Sequence, residues 1–207
     1  LLHPFLMARR VALNAVGGYR HAFHAEDTDL YWRLLHIGRL VNIDQPLGLM
    51  RLHPGSITNA SVVNGRVSAI HSQLAAISAR RRAAGREDIR FPRDRLAALT
   101  RARSFEAMIG IVAADLDRDE AGYLCDAASV KLLELANSRA FELESEDLRY
   151  IGDRYRSLPA AQLRGPALAN WAYRATLARL LRSRQIGMLA AFADLSTLGR
   201  TAVLRLL

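Results

Sequence analysis

The sequence predicts an α+β chain that is mostly α, with a small mixed part over residues 1–60 and a helical region over 61–207. Three observations lead there. The composition changes near residue 60: before it, short apolar runs are punctuated by Gly17-Gly18, Gly38, Pro46, Pro54 and Gly55, the pattern of short strands and one or two helices joined by turns. After it, apolar residues recur in steps of three and four, the helical period. The chain of 207 residues, 51% hydrophobic and 24% charged, can bury a real core and is neither disordered nor fibrous.

In chain order, Leu30, Leu34 and Ile37 share one face of a first helix that opens on Glu26-Asp27-Thr28-Asp29. Residues 40–43 and 47–52 read as strands by their apolar character. Val63, Val67, Ile70, Leu74 and Ile77 then mark an amphipathic helix that Gly85 stops. Pro92 opens a second helix carrying Phe105, Ile109, Val112 and Leu116, and a third lies around 126–141. Leu148, Ile151 and Tyr155 mark a fourth, with Ser145 as its cap. Pro166 begins a fifth with Leu168, Trp171 and Ala175 inward, and Met188, Phe192 and Leu195 mark a last segment.

Charge and cysteine use bound the function. The net charge is +9, carried almost wholly by arginine because Lys131 is the only lysine. That permits anionic partners without naming one. Arg80-Arg81-Arg82 reads as the solvated C-terminal end of a helix, not a nucleic-acid patch, and no nucleic-acid partner is expected. Cys125 stands alone, which excludes an internal disulfide and a cysteine-based zinc site and suits a cytoplasmic setting. The apolar tail 186–207 is broken by Asp194, Arg200 and Arg205, so it does not cross a membrane. Its arginines offer a peripheral contact with an anionic membrane surface at the cytoplasmic face. The chain begins with Leu1, which suggests a fragment of a longer protein.

The chemistry concentrates in two clusters. Gly17-Gly18-Tyr19-Arg20 permits a tight turn, and the acids that follow stand at a helix N-terminus, where unpaired N–H groups and the positive dipole end offset part of their mutual repulsion. Three readings compete for these acids. Asp27 or Thr28 serves as an ordinary N-cap; Asp27-Thr28-Asp29 holds a divalent cation; or His21, His24, Glu26 and Asp27 form a mixed metal site, of which His21, His24 and Asp27 could serve a small metal-dependent hydrolase. The second cluster, Arg51-Leu52-His53-Pro54-Gly55-Ser56, supplies a guanidinium fork, an imidazole and a hydroxyl. If the two strands return the chain beside Asp27, a base faces a cationic diphosphate clamp across one cleft.

His3-Pro4 with Arg9-Arg10, Gly17-Gly18-Tyr19-Arg20, Glu26-Asp27 followed by Asp29-Leu30 and Arg33, and Arg51-x-His53-x-x-Ser56 stand in an order and spacing that resembles the carboxy-terminal half of the catalytic domain of family 2 glycosyltransferases. The resemblance covers about the first 60 residues; the helical remainder resembles no family. It implies a partial GT-A fold, the nucleotide-diphospho-sugar transferase α/β architecture, over residues 1–60. It also implies inverting transfer from a nucleotide-sugar donor to a glycan or lipid-linked acceptor, in bacterial polysaccharide biosynthesis for example. Asp27 is then the catalytic base, and Glu26 orients the base or the acceptor. His53 approaches a divalent metal, Mn²⁺ or Mg²⁺, or the diphosphate. Arg51 and Ser56 stabilise the departing diphosphate, and Gly17, Gly18 and Tyr19 border the pocket. The family's first half, with its nucleotide-binding acids and metal-binding Asp-x-Asp, is absent from these residues, so the chain alone is expected to be inactive. An incomplete sheet would leave an exposed apolar face, which a homo-oligomer or the helical region would cover. The alternative is a non-catalytic helical interaction module with an anionic partner.

Overall fold

The computed structural model describes residues 3–49, 61–139, 141–157 and 167–193. Among these, every regular element is helical and no strand forms. A 3₁₀ turn, His3–Phe5, precedes α1 (Arg10–Ala15), α2 (Glu26–Ile37), α3 (Val62–Ala83), α4 (Arg93–Arg101), α5 (Phe105–Ala113), α6 (Arg118–Ser138), α7 (Ser145–Ser157), α8 (Ala167–Arg182) and α9 (Ile186–Phe192).

This overturns the α+β expectation, and with it the partial GT-A sheet. Residues 40–43 and 47–49 run without regular structure, and 50–52 lie outside the described residues. Strands are stabilised by pairing, and apolar character alone does not supply a partner for the backbone N–H and C=O groups. Without one, Val41, Ile43, Leu47 and Leu49 face outward. The segment's one close tie is Gly48, where a Cβ would lie 2.3 Å from the Phe5 ring.

The helical region is built around α3. Ser61 caps it by accepting from the Asn64 amide at 3.2 Å, and Gly85, at φ +66°, sits just past its end. Val67, Ile70, Leu74 and Ile77 are buried against α2, α4, α5 and α6, and each such side chain contributes about 1.5–3 kcal/mol by leaving water. The helix expected to run from Pro92 through Leu116 is two. Pro92 is the N-cap of α4, the chain extends at Ala102, and Ser104 starts α5 by accepting from the Ala107 amide. The third helix begins earlier than its apolar period suggests, because Asp117 and Glu120 form a capping box. Ser145 is the first residue of α7 and not its cap.

Two contacts close the other end. Gly152 of α7 lies so near α9 that a Cβ would stand 2.1 Å from the Phe192 carbonyl oxygen. Tyr173 stacks on Tyr155 at 4.0 Å and packs on Phe192 at 4.5 Å. The inward face of α8 is not the expected one: Ala172, Thr176 and Leu180 are buried, whereas Leu168 and Trp171 are exposed. Asn137 explains the choice, since its amide donates to Thr176 Oγ1 at 3.0 Å from the facing helix α6. Leu195, Arg200 and Arg205 lie outside the described residues, and no described helix is long and apolar enough to cross a membrane.

A buried charge cluster crosses the core. The Arg66 guanidinium of α3, 1% exposed, donates to Asp147 of α7 at 2.7 and 3.0 Å and to Glu144 at 2.6 Å. Asp147 is fully buried and also accepts from the Phe105 amide at 3.2 Å, so one carboxylate joins α3, α5 and α7. The arginine run at the end of α3 is likewise engaged. Arg80 lies over the Tyr123 ring at 4.0 Å, Arg81 binds Glu120, and Arg82 binds Asp88 at 2.8 Å.

Candidate functional site

The first motif forms the turn its glycines suggest. Gly17 and Gly18 follow α1 with φ of +74° and +67°, and the Gly18 amide donates back to the Leu13 carbonyl at 2.9 Å. Tyr19 is half exposed, its hydroxyl 2.7 Å from His3 Nε2. Arg20 turns the other way and is a clamp. Its guanidinium reaches both Asp29 oxygens, Asp88 at 2.9 Å and Ser78 Oγ at 3.2 Å, and so fastens the turn to α2, to the end of α3 and to the loop after it.

The next turn is held by α3. Ser68 Oγ donates to the His24 carbonyl at 2.9 Å, and His71 Nδ1 lies 2.9 Å from the Phe23 carbonyl. A carbonyl only accepts, so Nδ1 carries the proton and Nε2 is left buried without a partner. Burial pushes the His71 imidazole down to about 4, so it is neutral at pH 7. His24 itself takes a left-handed conformation, φ 63°. Its imidazole is also held below its ordinary value, chiefly by burial, with Glu26 opposing and Arg139 adding a smaller lowering.

Three acids then enter α2, and they have three different environments. Asp29 is fully buried between two arginines: Arg20 on one side, and Arg33, one turn on, at 2.7 and 2.9 Å on the other. It is a structural anchor and is spent. Neither Asp27 nor Thr28 is the N-cap, which is Ala25, and no side chain caps the helix. Asp27 accepts only from Thr28, at 2.8 Å from its amide and 3.5 Å from its hydroxyl, and among the described residues neither Glu26 nor Asp27 has an ion-pair partner. One turn along, the Tyr31 hydroxyl is buried with no hydrogen bond, and burial, then the Asp27 charge, raise its pKa.

From that turn a groove of about 420 Å³ runs along α2, lined by Thr28, Tyr31, Trp32, Leu35, Leu40 and Asn42. The aromatic rings and the amide side chain give this shallow, open groove an apolar floor with polar edges.

The structure thus brings Glu26 and Asp27 to one helix start, within the same segment as the Gly17-Gly18-Tyr19 turn. Arg51, His53 and Ser56 lie outside the described residues, and so does the cleft expected between Asp27 and His53. Among the described residues no three His, Cys, Asp or Glu side chains gather to hold a metal ion. His21 instead accepts from Arg93 Nε at 2.8 Å, which leaves the His21, His24 and Asp27 hydrolase reading without a ligand set. Among the described residues, then, no ligand set for a divalent ion is assembled, and His53 lies outside them.

The sequence did not single out Arg139, Ser68 and His71. Arg139, the C-cap residue of α6, is half-buried, and burial lowers its pKa, with the Asp27 and Glu134 charges opposing. A polar residue beside an apolar helical stripe, as Ser68 and His71 are beside Val67, Ile70 and Leu74, is the one local signal available. No protein-family model, no curated protein and no solved structure matches the chain.

Proposed function

We propose that this chain carries the acceptor side of an inverting glycosyltransferase, moving a sugar from a nucleotide-diphosphate donor to an acceptor hydroxyl. The observation that carries the reading is the sorting of the acids at the start of α2. Asp29 is consumed by Arg20 and Arg33, whereas Glu26 and Asp27 neither cap the helix nor enter an ion pair among the described residues. Carboxylates placed at a helix start without a structural task, beside a groove floored by Tyr31 and Trp32, suit a general base that must stay open to a hydroxyl.

Asp27 takes the acceptor proton while that oxygen attacks the anomeric carbon. The bond from that carbon to the phosphate oxygen breaks, and the nucleoside diphosphate leaves with the electron pair. Glu26 orients the acceptor, and the Gly17-Gly18-Tyr19 turn borders the sugar. Arg51, Ser56 and His53 fall to the departing diphosphate, with the divalent metal that such donors carry, and the nucleotide itself falls to residues outside this chain. The acceptor is a glycan or a lipid-linked glycan at the cytoplasmic face of a membrane.

The test is Asp27→Asn in the product of the whole gene, with sugar transfer measured from radiolabelled nucleotide sugars. A loss of about 10²–10⁴-fold is expected, the contribution of a general base. Transfer at the unaltered rate would favour the non-catalytic interaction module instead.

A further inference from the structure

We propose that the outer face of α8, with the corner that leads into α9, is a docking surface for an anionic lipid bilayer, on which the chain lies peripherally. The proposal goes beyond the transferase reading and stands without it.

The geometry begins with what turns this face outward. Ala172, Thr176 and Leu180 are buried, Asn137 of α6 donates to Thr176 Oγ1 at 3.0 Å, and Arg179 is spent on the Ala136 carbonyl at 2.7 Å. With the inner side fixed, the helical period leaves Leu168, Trp171 and Leu181 on the opposite side, 51%, 52% and 36% exposed. Arg174 and Arg182 are exposed among them. Ile186, 63% exposed, opens α9 just beyond, and α9 carries no polar side chain. Arg184 stands at the corner between the two helices with φ 55°, a left-handed conformation in which glycine would be less strained.

The charge of this surface has one sign. From 167 to 193 the sequence has no Asp or Glu. Arg81 and Arg82 at the end of α3 are held by Glu120 and Asp88, whereas Arg174, Arg182 and Arg184 form no ion pair among the described residues. On the packed elements, Glu134 is paired with Lys131, Asp126 with Arg154 and Asp153 with Arg156, so these acids are already engaged. Glu142 stands at the corner, where it accepts from Gln185 at 3.4 Å. An acidic protein would answer to the arginines, but guanidiniums interleaved with a half-exposed tryptophan and leucines favour a partner that is anionic and apolar at once. A bilayer surface is both: the rings and aliphatic side chains enter the acyl boundary while the guanidiniums meet lipid phosphates. No described helix is long and apolar enough to cross, so the contact is peripheral.

The test sediments the 207-residue chain with large vesicles of phosphatidylcholine, alone or with an equal part of phosphatidylglycerol. Binding is expected to the mixed vesicles and not to pure phosphatidylcholine, and it weakens as salt is raised. Each arginine near an anionic surface strengthens binding about fivefold, so Arg174→Gln with Arg182→Gln and Arg184→Gln weakens it about a hundredfold. All three side chains are exposed, and the melting temperature of this variant stays at the wild-type value. Lipids brominated on their acyl chains quench the fluorescence of Trp32→Phe, which retains Trp171, and leave that of Trp171→Phe unchanged. No binding to the mixed vesicles overturns the proposal and points to an acidic protein instead. Equal binding by the triple variant, or quenching that persists in Trp171→Phe and is lost in Trp32→Phe, overturns it too. None of these measurements involves Asp27, so the transferase reading is judged separately by Asp27→Asn.

Discussion

The helical region and the segment before it treat apolar surface in opposite ways. Among the described residues from 61 onward, Leu74, Phe105, Met108, Leu132 and Phe192 are completely buried in one core, though Leu168, Trp171 and Ile186 are exposed. In residues 3–49, Met7, Val11, Val41, Leu47 and Leu49 face outward, together with Trp32, Leu35 and Ile37 along α2. Ala22, Ala25, Leu30 and Leu34 are buried on the inner side of this segment, and directed polar contacts hold it as well: Arg20 to Asp29 and Asp88, Ser68 to the His24 carbonyl, His71 to the Phe23 carbonyl. Hydrophobic burial is non-directional and makes a body, whereas a few directed hydrogen bonds fix the pose of a segment whose apolar surface is still open. An apolar surface left open in this way is one that a partner or a second copy of the chain can cover.

The sharpest way to break the contrast is inside the body. Asp147→Ala leaves the Arg66 guanidinium with Glu144 as its one carboxylate and frees the Phe105 amide, and a loss of about 3 kcal/mol in urea unfolding is expected. A loss under about 1 kcal/mol would mean that the charge cluster is not what joins α3, α5 and α7.

Acid should act at the junction instead. His71 is neutral in the fold with its pKa lowered to about 4 from 6.5. Its contribution is complete above pH 6.5 and drains away as the pH falls towards 4, by up to about 3 kcal/mol. Stability measured from pH 7 to pH 4, as the difference between wild type and His71→Asn, isolates this from the carboxylates. Amides of the 22–25 turn and the start of α2 should lose hydrogen-exchange protection before those of α6. A difference that stays flat with pH would remove His71 as the tie.

The smallest effect belongs to the open surface. Trp32→Ser with Leu35→Ser should change stability by less than about 0.5 kcal/mol while reducing self-association in sedimentation velocity. A loss above 2 kcal/mol would show that this face is core after all.

The sequence was informative where a single helix decides its own face. Val67, Ile70, Leu74 and Ile77 announce α3, and the acids announce the start of α2. It misled where a neighbour decides. Leu168 and Trp171 looked inward until Asn137 and Thr176 set the rotation of α8, and residues 40–43 had strand composition but no partner strand. Within the site, the glycine turn and the helix-borne acids were legible. The division of labour among the acids was not, because it depends on which way Arg20 folds back onto Asp29 and Asp88.

Gly152 places the tightest demand on any one position. With the Phe192 carbonyl standing where a methyl group would be, the position has an alphabet of one letter. A survey of tolerated substitutions would find a gap there, in a helix whose neighbouring surface positions accept almost anything, and the depth of that gap would measure how firmly the final helix is seated.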